Sequence, residues 1–176
     1  NLRDLEKNTT SCKMRLYDGT IQEFKKDVLN NEIADIIAKN YSEKFKRKVN
    51  DSEYRSWETS PRVLKDSLDV PELVKNKIVI EYRLPYSERR IDVILFGRSK
   101  EGKDTVIVIE LKQWSNSSLK EIDIDGNFEI DYGNHKGQQA HPCAQVQAYV
   151  VDMNDYIKIF REKQKVELVG CSYCHN

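Results

Sequence analysis

The sequence predicts one α/β domain, with helices packed on a mixed sheet. Three observations carry that prediction. Apolar spacing is helical over the first third, turns strand-like between residues 77 and 114, and becomes helical again after residue 140 before a last apolar run. The 176 residues suffice for one sizeable core but not for two comfortable ones. A hydrophobic share of 39% beside 33% charged residues, with few glycines and prolines, is a globular composition.

Asp18-Gly19 is a turn signal. From Ile21 to Leu29 the spacing fits a short helix. Asn31 is a suitable cap for a second helix, with Ile33, Ile36, Ile37, Tyr41 and Phe45 on its apolar face, ending near residue 46. A third helix runs roughly from Ser52 to Leu68, where Pro61 implies a break, a kink or a new start near Ser60.

Lys77–Leu84 and Arg90–Phe96 read as strands joined through Pro85-Tyr86-Ser87-Glu88. Gly97–Asp104 is a polar turn, and Thr105–Trp114 a third strand with apolar residues on both faces, hence central. A polar loop with a small hairpin around Gly126 follows. Ala140–Phe160 is mostly helical after His141-Pro142, and Val166–Tyr173 is a last strand.

No apolar run approaches a membrane span and no signal-like segment is visible, so a cytoplasmic location is expected. Lys plus Arg equals Asp plus Glu, so bulk charge leaves no nucleic-acid footprint. Only local clusters such as Lys44–Lys48 and Arg89-Arg90 remain, so function must be argued from a site.

Glu110-Leu111-Lys112 ends the apolar strand, and side chains two apart on a strand share a face. Buried charge is costly unless paired or coordinated. If the preceding loop centres near Glu101, cross-strand partners sum to about 202, and Asp92 lies opposite Glu110. A turn centred between Tyr86 and Ser87 sets Glu81 across from Asp92. One residue of slip would move any of these to the other face.

Converging carboxylates repel unless a cation joins them. Mg²⁺ or Mn²⁺ fits: it takes oxygen ligands, polarises a scissile phosphate and acidifies water, while a lysine positions the nucleophile or neutralises developing charge. The blander alternative is an ion-paired hairpin with no chemistry.

Asp92 followed by Glu110-Leu111-Lys112 resembles the PD-(D/E)XK nuclease motif, and Gln145…Tyr149 resembles the Q-x-x-x-Y helix of RecB-like members. A wider likeness takes in Glu53…Ser56-Trp57, Glu81–Pro85, Arg90-Ile91-Asp92, Glu110–Trp114 and His141-Pro142. It resembles the nuclease-like N-terminal domain of bacterial proteins that continue into a Schlafen-type helicase/ATPase domain. The likeness covers about residues 14–176, leaving 1–13 as an upstream or cloning-derived segment.

The resemblance implies a restriction-endonuclease-like core and a Mg²⁺- or Mn²⁺-dependent hydrolase acting on DNA before RNA. Asp92 and Glu110 would ligate metal with the Leu111 carbonyl, Lys112 would be the catalytic lysine, and Gln145 and Tyr149 would support them. Glu53 and Glu81 compete as a further ligand, with pairing to Arg83 or Arg90 as the alternative for Glu81. Implied partners are nucleic acid and an ATPase domain of the same protein, with self-association left open and a role in bacterial defence or nucleic-acid processing. The alternative is a catalytically silent nucleic-acid-binding or assembly module.

Cys171-Ser172-Tyr173-Cys174-His175 matches a haem-attachment pattern or half a zinc site, with His135, His141 and Cys143 available to complete the latter. Together with Cys12, these thiols are expected to be reduced and buried. Trp57 and Trp114 are expected to pack rather than stack on bases.

Overall fold

A computed structural model describes residues 15–84, 87–114, 119–121, 127–131, 136–161 and 166–175. Residues 1–13 with Cys12, Pro85-Tyr86, the hairpin centre at Gly126, and His135 lie outside the described residues.

The domain is α/β. Its five-stranded mixed sheet has the order β1 (Tyr17–Thr20), β2 (Lys77–Arg83), β3 (Arg90–Arg98), β4 (Asp104–Gln113) and β8 (Val166–His175). The first four run antiparallel to their neighbours, and β8 joins β4 in parallel. Helices α1 (Ile21–Leu29), α2 (Ile33–Phe45) and α3 (Asp51–Ser67) cover one face, and α4 (Pro142–Tyr156) with the short α5 (Lys158–Arg161) covers the other. The apolar runs of β3 and β4 follow from this double cover.

Local chemistry explains the helix ends. Thr20 and Glu23 form a reciprocal capping box at α1, whose Ile21, Phe24 and Val28 enter the core. Asn50 caps α3 through the Glu23-like position Glu53, accepting from its amide at 2.8 Å. The α4 helix begins with Pro142 at its first turn, and the His141 Nδ1 accepts from the Cys143 amide at 3.1 Å.

The structure departs from expectation in several places. Asp18-Gly19 lies in edge strand β1, paired with Val79 and Ile78, because tertiary pairing overrides a local turn signal. Asn31 has φ 59° and stands one residue too early; Glu32 occupies the N-cap position of α2 and makes no side-chain cap. Pro61 does not divide α3, which runs unbroken through it, with the proline buried against the core. After β4, β5 (Leu119–Glu121) and β6 (Asn127–Asp131) pair antiparallel on either side of Gly126 as a hairpin there requires, and β7 (Lys136–Ala140) adds an unexpected third strand to this second small sheet.

Two clusters form the core. Phe24, Ile37, Trp57 and Leu64 pack on Ile78, Ile80, Val93 and Ile109. Tyr149, Met153, Ile157 and Phe160 pack on Val79, Ile94, Phe96, Val106 and Val108. Helix α4 sits close to the edge strand: a Cβ on Gly170 would lie 2.2 Å from Val146 Cγ1 and 2.9 Å from Val150 Cγ2. Only glycine lets β8 and α4 approach this closely. Among the described residues, no helix is long and apolar enough to cross a membrane.

Candidate active site

Both expected registers hold. Partners in β3 and β4 sum to 202, from Val93↔Ile109 to Arg98↔Asp104. Partners in β2 and β3 sum to 173. Both ladders lose their pairing at Asp92. The β3–β4 pairing ends at Val93↔Ile109, and the β2–β3 pairing skips Glu81 and Asp92 before resuming at Tyr82↔Ile91.

Glu81 causes the second gap, since its φ of 54° is left-handed. An acidic residue held there is strained, and such strain collects where surrounding structure imposes it. The turn also shifts the alternation by one residue. Tyr82, Leu84 and Ile91 join the α4-side cluster with Val79 and Ile94, although they differ from them in parity. The strands therefore part at Asp92, and a pocket of about 270 Å³ opens there.

The Asp92 carboxylate bridges the parted strands, its Oδ2 accepting from the Leu111 amide at 2.7 Å. It thus replaces a ladder bond. Glu110, almost fully buried at 3% exposure, pairs through Oε1 with Lys112 Nζ at 2.7 Å. The other oxygen, Glu110 Oε2, is buried with no hydrogen bond of good geometry among the described residues. Lys112 Nζ also lies 5.9 Å from the Trp114 ring centre.

Glu81 accepts from Trp57 Nε1 at 2.9 Å and meets Arg90 Nη1 at 3.3 Å. Arg90 also pairs with Glu53, whose carboxylate accepts from Asn50 Nδ2 at 3.1 Å. Both competing acids are thereby occupied by structural partners. Of the two arginines the sequence offered Glu81 as an ion-pair partner, Arg83 and Arg90, the structure uses Arg90. The register held the signal: Arg90 lies opposite Arg83, hence diagonal to Glu81.

Around the pocket stand four carboxylates, Glu53, Glu81, Asp92 and Glu110, and two cations, Arg90 and Lys112. Four minus two leaves two negative charges when all are ionised, the charge one divalent ion would neutralise. The carboxyls register that excess. Asp92 is only half-buried because it faces the pocket, yet desolvation is the largest effect on it. Together with Glu110 and Glu81 it holds the Asp92 carboxyl well above the usual range, against the Leu111 amide and Lys112. Burial likewise raises Glu81, with Arg90 and Trp57 opposing and Glu53 and Glu110 adding.

Tyr149 reaches the same centre from α4. Burial, then the charges of Glu110 and Asp92, then hydrogen-bonding contact with the Glu110 carboxylate raise its hydroxyl above the usual range, so it stays a donor at neutral pH. Gln145 lies one turn earlier on the same helix face, its Oε1 buried without a hydrogen-bond partner. The structure thus gathers Asp92, Glu110, Leu111, Lys112, Glu53 and Glu81 at one pocket, with Tyr149 electrostatically joined to it. Among the described residues, no three His, Cys, Asp or Glu side chains stand close enough to form a ready-made metal cage.

The cysteine expectations need correction. Cys143, Cys171 and Cys174 are free but exposed rather than buried: Cys143 lies in the first turn of α4, and Cys171 and Cys174 lie on β8, the edge strand of the sheet. Cys171 and Cys174 lie three apart on a strand, so they face opposite ways and do not form a one-sided haem or zinc clasp. His175 instead meets Ser60 at 3.1 Å inside the domain. Trp57 and Trp114 are both buried, as expected of packing residues.

No family model, curated protein or solved structure matches this chain in the comparisons.

Proposed function

We propose that this domain is a divalent-metal-dependent nuclease hydrolysing phosphodiester bonds, with DNA as substrate before RNA. The observation that carries the reading is the buried carboxylate excess at Asp92 and Glu110 beside Lys112. Asp92 and the buried Glu110 Oε2 are oxygen donors of the kind Mg²⁺ or Mn²⁺ takes, and the Leu111 main chain lies against Asp92. The donor set therefore fits such an ion, with Glu53 and Glu81 held back by Arg90.

A bound divalent ion would supply Lewis acidity toward the phosphate and acidify water. The chain's own residues do the rest. Lys112, poised on Glu110, places a positive charge where phosphate charge develops and orients the attacking water. Tyr149 supplies a protonated hydroxyl to the carboxylates of Glu110 and Asp92 from α4. Arg90 fixes Glu53 and Glu81, so the wall below the reacting phosphate stays in place during turnover. In the full protein the domain would be coupled to an ATPase that delivers nucleic acid, which suits its zero net charge.

A second reading, a silent binding or assembly module of the same shape, is favoured by one observation. No three acidic or metal-binding side chains among the described residues form a ready cage. The test is cleavage of linear, nicked and single-stranded substrates in Mg²⁺ or Mn²⁺ by wild type, Asp92→Asn and Lys112→Ala. Cleavage by wild type alone supports the nuclease. Equal cleavage by all three removes the site, and none by any favours the module.

A further inference from the structure

A row of rings leads out of the acidic pocket. Trp57 lines that pocket, Tyr41 stands 5.7 Å from Trp57, and Phe45 stands 4.9 Å from Tyr41. Tyr41 and Phe45 line a second cleft of about 360 Å³ with Arg47, Arg83, Glu88 and Arg90. Arg90 belongs to both walls, so the cleft adjoins the site. The Arg90 guanidinium lies 5.8 Å from the Tyr41 ring centre, and that of Arg83 lies 5.8 Å from Phe45.

This cleft differs in chemistry from the pocket beside it. Arg90 is taken up by Glu53 and Glu81, and among the described residues Arg47 and Arg83 then face one carboxylate, Glu88, so the excess is positive. Arg83 is paired with Glu88 at its outer end, whereas Arg47 is exposed just past the left-handed end of α2. Tyr41 and Phe45 remain half-exposed although they pack on the core. Half-exposed rings flanked by arginines are how proteins hold unpaired bases and their phosphates. A duplex hides its base faces, and a cleft of this volume is of small-ligand size.

We propose that this cleft binds one nucleotide of a single strand next to the reacting phosphate, its base on the Tyr41–Phe45 rings and its phosphate on Arg47 and Arg83. The inference rests on the nuclease reading for the identity of the neighbouring phosphate, and it makes the substrate a single strand or a frayed end.

The test is fluorescence-anisotropy binding by the full chain, in EDTA, of a labelled oligothymidine, the same oligomer with abasic positions, and a blunt duplex. Variants are Arg47→Ala, at an exposed position, and Phe45→Leu, which keeps apolar volume; circular dichroism checks folding. Arg47→Ala should weaken binding of the oligothymidine and the abasic oligomer alike, and reduce the salt slope by about 0.7. Phe45→Leu should cost roughly 5- to 150-fold on oligothymidine and little on the abasic oligomer.

Binding unchanged in both folded variants, preference for the duplex, or no single-strand binding by wild type overturns the proposal. Asp92→Asn separates the two readings. If wild type binds through this cleft yet never cleaves in Mg²⁺ or Mn²⁺, the nuclease reading fails and the cleft stands. If cleavage needs Asp92 while Arg47 and Phe45 do not affect binding, the cleft fails and the nuclease stands.

Discussion

Replacing Asp92 with asparagine should stabilise the metal-free domain. The side chain keeps its shape and an oxygen to accept from the Leu111 amide, now at 2.7 Å. What it loses is a charge set among Glu110 and Glu81 in a desolvated pocket. Weakening a charge-assisted hydrogen bond to a neutral one costs about 0.5–2 kcal/mol. Removing a charge that desolvation and two neighbouring carboxylates disfavour should return about 1.4 kcal/mol for every pKa unit by which they raise that carboxyl. The expected net is a gain of about 1–2 kcal/mol, or roughly 2–8 °C in Tm for a chain of this size. Asp92→Ala is the control. It leaves the Leu111 N–H without its acceptor and should fall below the asparagine variant by about 1–3 kcal/mol. The assay is thermal and urea unfolding in EDTA, repeated in Mg²⁺ or Mn²⁺. A divalent ion at ten times its Kd should stabilise wild type by about 1.4 kcal/mol and the asparagine variant by much less. If asparagine destabilises the metal-free protein by more than about 1 kcal/mol, Asp92 is a structural bridge and the charge argument is refuted.

Further outcomes follow from the same geometry. Asp92 and Glu81 carry raised carboxyls, so their contribution is complete below the unfolded value of about 4 and is lost as pH rises through the folded values. Metal-free stability should therefore fall as pH climbs from about 4 toward those raised values, and Asp92→Asn should flatten that fall in urea titrations across pH. A divalent ion, which competes with protons for the same oxygens, should stabilise more strongly at higher pH. Gly170→Ala should cost about 1–3 kcal/mol by driving a methyl into Val146 and Val150, and Val146→Ala should recover part of it in thermal unfolding. Trp57→Phe removes the donor at 2.9 Å from Glu81 and should cost about 1.5–3 kcal/mol in denaturant unfolding, with Asp92→Asn stability as the comparison.

Much of this site was legible because hairpin registers follow from loop centres. Placing the β3–β4 turn near Glu101 was enough to set Asp92 level with Glu110, and Ser99 to Lys103 do form that turn. Placing the β2–β3 turn between Tyr86 and Ser87 set Glu81 level with Asp92 in the same way. Periodicity also identified α1 to both of its ends, and the apolar faces of α2 and β4. It failed where the deciding contact is distant in the chain. Edge strand β1 exists because β2, some 60 residues later, offers it a partner. Pro61 stays inside α3 because that segment is packed on the core, a circumstance no local rule contains.

The sequence by itself determined that an acid, an acid and a lysine would meet on neighbouring strands, since alternation and turn position are local properties of the chain. Only the tertiary structure decided what those groups do there. The left-handed turn at Glu81 parts the strands, Arg90 takes up Glu53 and Glu81, and Tyr149 arrives from a helix on the other face. Which charges are neutralised and which are left over is a matter of distance and burial, and both depend on elements far apart in sequence packing against one another. That is why the imbalance at Asp92 and Glu110 could be located beforehand, but its size and its buried oxygen emerged only with the fold.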